Sequence, residues 1–266
     1  MNAISFEKSD LQNLTEFQPA DWGDLFPRFD YFINSSFCNP IKLTENNEMT
    51  AIGTTMLHES SAWLACIIVH PNHRKKGLGN IITQSLINGI DRERFKTIYL
   101  DATEMGYPVY KKLGFQVESE YVHLHQEYSI DTGDVSQNIY PFQEEFTDEI
   151  LKLDEEISGE RRKGILSDFL ESALVYKTGT DIHGFYIPNW GDGPVIANNN
   201  EAGLELMKIR IQQKKNAVIP TANQTALEFL GKLGYKTYKT SKRMLLGSPK
   251  NWNPTGSYNW ISGQLG

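Results

Sequence analysis

Two segments of the chain repeat one pattern at a constant spacing. YLDATEMGYPVYKKLGF occupies residues 99 to 115, and IPTANQTALEFLGKLGY occupies residues 219 to 235. Leu113 aligns with Leu233 at an offset of 120 residues (233 minus 113), and the glycine and aromatic residue that follow keep this offset. Self-similarity at a fixed offset indicates a tandem duplication. The chain is therefore predicted to form two related domains, residues 1–132 and 133–266, and not one large core.

Strand-like and helix-like patterns alternate within each half. In the first half, AIGTTMLHE and AWLACIIV are predicted strands joined by a hairpin, and Ile82, Leu86 and Ile90 mark one face of a predicted helix. KTIYLDAT, PVYKKLG and FQVESEYVHLHQEY follow as strand, helix and strand. In the second half, EFTDEILKLDEEI, GILSDFLESALVY and EAGLELMKIRIQQ are predicted helices, and GFYIPNW and GPVIA are predicted strands. This alternation favours α/β or α+β layering over a helix bundle.

The charge balance and the hydropathy narrow the classes of function. Lys and Arg number 26 against 33 Asp and Glu, which gives a net charge of −7. A nucleic-acid partner is not expected, because such binding depends on neutralising phosphates with cations. No apolar run reaches the ~18 residues of a membrane span, and MNAISFEKSD lacks the features of a secretory signal, so a cytoplasmic protein with no membrane partner is expected. Cys38 and Cys66 accompany apolar runs and are predicted to be buried, reduced thiols.

A cationic loop with two glycines separates the most apolar predicted strand from the helix that follows it. Residues 74–79, RKKGLG, have the form RxxGxG. Glycines allow several backbone N–H groups to turn inward, and a helix N-terminus adds the positive end of its dipole, so the arrangement suits a phosphate group. A nucleotide P-loop is disfavoured because no Lys and Ser or Thr follow, and a Rossmann turn is disfavoured because the third glycine is absent. The pyrophosphate of coenzyme A remains as a ligand, with a plain basic turn as the alternative.

The loop and the later repeat segment together resemble the GNAT family of acyl-CoA-dependent N-acyltransferases. IIVHPNHRKKGLG resembles the cofactor motif of the family, and YLDATEMGYPVYKKLGF resembles its later strand and helix, over roughly residues 3 to 130. GPVIANNNEAGLELM, NQTALEFLGKLGY and YNWISGQLG resemble, more weakly, the degenerate second domain of two-domain members. The resemblance implies tandem GNAT-like domains of the α/β (α+β) class, each with a mixed, mostly antiparallel central sheet flanked by helices.

The resemblance also implies a site for acetyl-CoA (coenzyme A) as cosubstrate, with no metal. Backbone groups of Ile67 and Val69 would bind the pantetheine arm beside the strand. Thr103 stands where an asparagine is usual, seven residues before the matching tyrosine, and would still offer a hydroxyl to the cofactor. The loop residues that would hold the pyrophosphate are Arg74, Lys75, Lys76, Gly77, Leu78 and Gly79.

Tyr110 matches the tyrosine that faces the cofactor sulfur in many family members. A thiol with a pKa near ~8.5 and a phenol with a pKa near ~10 make a full proton transfer uphill by roughly 2 kcal/mol. Tyr110 is therefore predicted to donate a hydrogen bond to the departing thiolate, which would make it the catalytic residue. The alternative is a buried helix tyrosine that takes no part in catalysis.

The acceptor amine must lose a proton before it attacks, because an alkyl ammonium with a pKa near ~10.4 is protonated at neutral pH. His58, Glu59, His123 and His125 are the candidate bases, and none is preferred. Direct attack in a ternary complex is expected, because neither cysteine has the setting of a nucleophile. A backbone N–H near Val69 would hold the oxyanion.

The second half lacks the tyrosine and the glycine loop that the first half would use for catalysis and cofactor binding. Leu230 stands where Tyr110 stands, and GPVIA runs into NNNE without a glycine loop, so this half is predicted to have lost the cofactor. The expected function is transfer of an acetyl group to a primary amine of a small molecule, in preference to a protein lysine or N-terminus. The alternative is a catalytically silent acyl-CoA-binding module, and a scaffold of two inactive domains is disfavoured by the intact RKKGLG loop. The turn at residues 190–193 and the segment from Trp252 to Trp260 are candidate parts of the acceptor groove, with packing of these aromatic residues against the first domain as an equal alternative. The acceptor, the acyl length and assembly as a homodimer are left open by the sequence.

Overall fold

The chain folds as two units that are separated at a different residue from the predicted domain boundary. The computed structural model describes residues 3–20, 22–128 and 132–265. Unit 1 comprises Met1–Gln116 and Leu245–Ser248, and unit 2 comprises Val117–Met244 and Pro249–Gly266. The boundary between residues 132 and 133 follows the repeat in the sequence and stays a prediction about the duplicated halves.

Unit 1 is built on a sheet of strands that follow one another along the chain. Its strands are β1 (Ala3–Ser5), β2 (Cys38–Glu45), β3 (Glu48–Leu57), β4 (Ser61–Val69) and β5 (Thr97–Ala102). Its helices are α1 (Leu25–Asn34), α2 (Leu78–Asn88) and α3 (Tyr107–Lys112), with 3-10 turns at Lys8–Phe17 and Pro71–His73. The strands are ordered β1-β2-β3-β4-β5, and each neighbouring pair is antiparallel except β4 and β5, which are parallel.

The predicted elements of the first half are confirmed by this arrangement. β4 is almost continuously apolar because Ser61–Cys66 is buried throughout, as expected of a central strand. The hairpin before it is closed by a bond from His58 N to Ser61 O of 2.9 Å. Ile82 and Leu86 are buried on one face of α2. Cys38 and Cys66 are buried and form no disulfide, as predicted.

Unit 2 contains two groups of strands. Its strands are β6 (Gln116–His125), β7 (Ile139–Pro141), β8 (Leu174–Thr178), β9 (Asp181–Tyr186), β10 (Val195–Ala197), β11 (Asn216–Pro220), β12 (Lys236–Gly247) and β13 (Ser257–Asn259). Its helices are α4 (Thr147–Ser158), α5 (Lys163–Ser167), α6 (Asn200–Gln213) and α7 (Gln224–Lys232), with 3-10 turns at Glu144–Phe146, Leu170–Ser172 and Pro254–Gly256. The strand orders are β12-β6-β11 and β13-β10-β9-β8-β7.

One predicted helix of the second half is wrong. GILSDFLESALVY, residues 164 to 176, forms most of α5, a 3-10 turn and the first part of β8. Its apolar residues keep a helical spacing, but β8 pairs with β7 on one side and β9 on the other. Ladder bonds on both edges and the buried Val175 and Tyr176 side chains therefore override the periodicity of the sequence.

The last strand segment of unit 1 comes from far along the chain. Leu245–Ser248, at the end of β12, lies beside β5. Ser248 N donates to Lys96 O at 3.3 Å, and Ser248 O accepts a bond from Thr97 Oγ1. Gly247 has φ +109°, and a Cβ there would collide with the Lys96 carbonyl oxygen. Only glycine therefore fits where this segment meets the chain before β5.

Candidate active site

The first feature of the site is a gap that opens between β4 and β5. Among the described residues, β5 pairs with β4 only through Ser61–Trp63, at the start of both strands. Farther along β4, Cys66 has φ +50°, and the register with β3 shifts between Ile52 and Thr54. These are the marks of a β-bulge, which bends a strand and interrupts its pairing. The end of β4 therefore diverges from β5.

Backbone groups of β4 line this gap. His70 N donates to Thr50 O at 2.9 Å, which closes the ladder between β3 and β4. Because backbone groups of an antiparallel strand alternate in direction, the N–H and C=O of Val69 point away from β3. The same alternation directs those of Ile67 into the gap. The edge thus offers donors and acceptors to an extended ligand.

The glycine loop lies at the end of β4 and opens to solvent. Lys75 and Gly77 have φ +63° and +81°, and a Cβ at Gly77 would meet nothing within 4 Å. α2 begins directly after Gly77, and no side chain caps its first turn. The uncapped N–H groups and the positive end of the helix dipole favour an anion here. Arg74 Nε donates to Val69 O at 3.4 Å, which holds this side chain at the end of β4.

Gly79 marks the place where three elements of unit 1 meet. A Cβ at Gly79 would lie 3.9 Å from Val69 Cγ2 and 3.9 Å from Val109 Cγ2. The end of β4, the first turn of α2 and helix α3 therefore converge at this glycine. Tyr110 directly follows Val109 on α3. The structure thus brings together the loop and the helix of the predicted catalytic tyrosine, which are about thirty residues apart in the sequence.

Thr103 caps the turn that leads into α3. Its carbonyl oxygen accepts bonds from Gly106 N at 3.1 Å and from Tyr107 N at 2.9 Å. Its hydroxyl accepts from Gly106 N at 3.2 Å. The observed contacts of Thr103 position the helix, and its contact with a cofactor stays a prediction.

Tyr110 is buried and remains a phenol at neutral pH. Burial, and in second place the charge of Asp101, raise the pKa of Tyr110 well above its usual value of 10.0. Its ring packs over Gly106, where a Cβ would lie only 2.7 Å from Cε2 of the ring. The hydroxyl can therefore donate a hydrogen bond but is a weak acid, which agrees with the predicted donor role.

The structure separates His58 and Glu59 from the loop. Both follow β3 in the hairpin that leads to the start of β4, whereas the loop follows the end of β4. Eight residue steps of about 3.3 Å place these ends roughly 26 Å apart. A base must reach the amine at the thioester and not the phosphate loop, so a role for either residue as the base stays a prediction.

The other two candidate bases belong to unit 2. His123 Nε2 lies 2.9 Å from Ser241 Oγ, and the His123 ring meets that of Trp260 edge-on at 5.0 Å. His125 Nδ1 lies 2.6 Å from Asn216 Oδ1. His123 is buried and His125 is partly exposed. A role for either as the base stays a prediction.

His70, a residue beside the loop, was missed by sequence reasoning. His70 directly follows β4; its Nδ1 accepts a bond from Asn72 N at 3.2 Å, and its Nε2 lies 3.6 Å from Glu16 Oε2. Its ring also contacts Phe17 edge-on at 5.2 Å. The signal in the sequence was the position of His70 between the strand and the loop, whereas the contact with Glu16 could not be read from it.

The free energy of unfolding is expected to fall as the pH decreases from about 6.5 to about 4 because of His123. Burial, and then the charge of Lys239, lower the pKa of His123 from 6.5 to about 4. In this window the unfolded chain binds a proton that the folded chain does not, so stability present above pH 6.5 is lost, by roughly 2 kcal/mol near pH 4.5. Urea unfolding at both ends of the window measures the loss. His123→Gln should lose less, and equal losses in the two proteins would contradict the assignment.

Comparisons of sequence match one family model to part of each half of the chain. Residues 150–257 match the family model described as an acetyltransferase (GNAT) domain. Residues 43–124 match the family model described as FR47-like protein. In sequence and fold, the chain is therefore similar to the GNAT family. Comparison with curated protein sequences finds no match.

Several solved structures share the fold of this protein at low sequence identity. A candidate acetyltransferase from Pyrococcus horikoshii is 20% identical, with a TM-score of 0.84 over 100% of this chain and 95% of that chain. A GCN5-related N-acetyltransferase from Sphaerobacter thermophilus is 12% identical, with a TM-score of 0.62 over 96% and 98%. An acetyltransferase of the GNAT family from Colwellia psychrerythraea is 12% identical, with a TM-score of 0.56 over 93% and 100%. These similarities confirm the predicted fold class.

Among residues 3–20, 22–128 and 132–265, no three or more His, Cys, Asp or Glu side chains are grouped so that they could hold a metal ion. Over the same residues, no helix is both long and apolar enough to cross a membrane.

Proposed function

We propose that unit 1 binds acetyl-CoA and transfers its acetyl group to a primary amine of a small molecule. The observation that carries the proposal is the convergence at Gly79 of the diverging end of β4, the open loop before α2 and the helix of Tyr110. An extended chain with a pyrophosphate at one end and a thioester at the other matches these three features. The match of residues 43–124 to the FR47-like family model and the fold shared with acetyltransferases support the proposal.

The residues of unit 1 fit the parts of this cosubstrate. Ile67 and Val69 direct backbone N–H and C=O groups into the gap, where the amides of the pantetheine arm need partners. The uncapped first turn of α2 suits the pyrophosphate, and a Cβ at Gly77 would stand in open space next to it. Lys75 and Lys76 add positive charge to the loop, and Leu78 and Gly79 open the helix.

The chemistry follows from what these residues can do. Acetyl-CoA supplies the activated acetyl group, and the amine attacks it directly in a ternary complex. Cys66 is buried within the bulge of β4 and is not placed as a nucleophile. Tyr110 donates a hydrogen bond to the departing sulfur, and a backbone N–H near Val69 stabilises the oxyanion. The net charge of −7 favours a cationic amine as the acceptor.

Release of free coenzyme A thiol tests the proposed function. The purified full-length chain is incubated with acetyl-CoA and a panel of primary amines, and the thiol is measured with a disulfide reagent. We expect release that depends on both substrates and a matching mass increase of 42 Da in one or more amines. Binding of acetyl-CoA without turnover of any amine would favour the silent binding module. Absence of binding would identify the loop as a plain basic turn.

Tyr110→Phe is expected to lower kcat about 10-fold to 100-fold while the Kd for acetyl-CoA changes less than about threefold. The phenyl ring keeps the packing over Gly106, and only the hydrogen bond to the leaving group is lost. Tyr99→Phe is the matched control, since Tyr99 is buried against Trp63 at the paired end of β5. Steady-state kinetics and calorimetry measure both variants. An unchanged kcat in Tyr110→Phe would show that Tyr110 only packs.

A further inference from the structure

The order of elements in unit 2 repeats that in unit 1. β10, α6, β11 and α7 follow one another as β4, α2, β5 and α3 do. In unit 1, β4 and β5 diverge and leave a gap between them. In unit 2, the corresponding space between β10 and β11 is taken by β13, from much later in the chain. We call this space the second slot.

β13 binds both walls of the second slot. On one side it is antiparallel to β10, with Asn259 opposite Val195 and Ser257 opposite Ile196. On the other side Trp260 N donates to the carbonyl oxygen of Val218 in β11 at 3.1 Å. The N–H of Val218 donates to Asn259 Oδ1 at 2.9 Å. The segment Ser257–Trp260 therefore satisfies backbone groups of both strands, as an added strand does.

Tyr258 covers the start of α6. Its hydroxyl donates to Asn200 Oδ1 at 2.7 Å, and Asn200 is the first residue of that helix. Its ring lies against Gly203, where a Cβ would collide with the ring. The counterpart in unit 1 is the open first turn of α2. The helix start that suits an anion in unit 1 is thus covered by a side chain of the same chain in unit 2.

Asn223 binds the segment at the place where the repeat puts Thr103 (223 minus 103 is 120). Its Nδ2 donates to Thr255 O at 2.9 Å and to Ser257 O at 3.0 Å. The position that the family resemblance linked to a cofactor therefore holds a peptide backbone. Asn223 is itself buried and aims its amide at this segment.

Both the oxygen and the nitrogen of the Asn259 side-chain amide form hydrogen bonds. It is fully buried, and its Nδ2 donates to Gly193 O at 3.1 Å and to Trp260 O at 2.9 Å. Trp260 Nε1 donates to Asp192 Oδ2 at 2.8 Å. Buried side-chain bonds of this kind read the sequence of a ligand, whereas ladder bonds do not. Trp260 is also buried, so the expectation that it lines an open acceptor groove is wrong.

We infer that the second slot is a binding site for an extended peptide, and that its ligand is the segment Ser257–Trp260 of the same chain. The hydrogen bonds described above support this assignment. The comparison of the second slot with the gap of unit 1 rests on the proposed function. The segment takes the space that a pantetheine arm would need. Unit 2 therefore binds no acetyl-CoA, and the full chain binds one molecule.

Hydrogen exchange of the full-length chain tests the assignment. In the wild type, the amides of residues 216–220 and 257–261 should be protected together. In Asn259→Ala, exchange of the Val218 amide should be at least about tenfold faster, because a buried donor loses its acceptor. A synthetic peptide TGSYNWIS, the sequence of residues 255–262, should restore the protection, and the same peptide with alanine in place of its asparagine should not. If Asn259→Ala fails to fold, Tyr258→Phe replaces it in this experiment. Tyr258→Phe removes only the bond to Asn200 and should give a smaller increase in the exchange rate of the Val218 amide.

Three results would overturn the inference. They are equal exchange at Val218 in the wild type and both variants, failure of the peptide to restore protection, and protection by pantetheine equal to that by the peptide. Titration of the same proteins with acetyl-CoA reports separately on unit 1. One acetyl-CoA site in each protein supports the proposed function. If acetyl-CoA does not bind, the result of the exchange experiment is unaffected. The two proposals can therefore fail independently.

Discussion

Gly77→Asp is expected to weaken acetyl-CoA binding at least about 100-fold, about 2.7 kcal/mol at 25 °C. Gly77 has φ +81°, a conformation that Asp and Asn accept more readily than other residues, and a Cβ there meets no atom within 4 Å. The fold should therefore tolerate the change. The new carboxylate would stand at the uncapped start of α2, where it would repel the pyrophosphate and occupy the place of an anion. Calorimetric titration with acetyl-CoA measures the loss.

Two control variants distinguish the effect of a negative charge at position 77 from the effects of an added side chain and of a substitution elsewhere. Gly77→Asn has the same shape without the charge and should lose about tenfold less affinity than Gly77→Asp. Gly179→Asp places the same residue at another glycine with positive φ and open space, in the turn between β8 and β9 of unit 2, and should bind as the wild type does. Equal affinity of Gly77→Asp and the wild type would show that the loop does not hold the cofactor phosphates.

Arg162→Met is expected to lower the free energy of unfolding by about 3–5 kcal/mol. Arg162 Nε and Nη2 donate to the two carboxylate oxygens of Asp154 at 3.0 and 2.5 Å, and both side chains are almost fully buried. Burial raises the pKa of Asp154, while the Arg162 guanidinium opposes that rise. Without the arginine, unit 2 must bury an unpaired carboxylate or bind a proton. Urea unfolding followed by circular dichroism measures the loss.

Arg161→Met is the matched control for this prediction. Arg161 is the preceding residue and pairs with Glu155 at 2.7 Å, but more than half of its side chain is exposed. Its loss should cost at most about 1 kcal/mol. Asp154→Leu combined with Arg162→Met should recover much of the stability, because no charge is then left unpaired. If the two single variants lost the same stability, the buried pair would not contribute more than a surface pair.

The parts of the fold that could be predicted from the sequence are those with a complete local pattern. The apolar run of β4, the helical face of Ile82 and Leu86 and the glycine loop each lie within a short stretch, so their signals are complete in the sequence. The sequence could not choose among His58, Glu59, His123 and His125 as the base, because their distances from the proposed thioester depend on how the strands are ordered. That is a property of the sheet and not of any one strand.

The features that sequence reasoning missed are all decided by distant contacts. The bulge at Cys66 uses a positive φ at a residue that usually avoids it, so nothing local marks it. The false helix over residues 164 to 176 had helical periodicity, and partners on both edges made part of it a strand. The insertion of β13 joins Asn259 to Val218 across forty-one residues. No short-range pattern could have indicated it.

During synthesis on the ribosome, the sheet of unit 1 cannot be completed until the segment Leu245–Ser248 has been made. β5 ends at Ala102, yet the segment that lies beside it is synthesised more than 140 residues later. At roughly 5–20 residues per second, the nascent first unit spends about seven to thirty seconds with that side of β5 uncovered. A recombinant fragment that stops at residue 132 would keep it uncovered permanently. Such a fragment is expected to aggregate through this exposed strand, so activity should be assayed on the entire polypeptide.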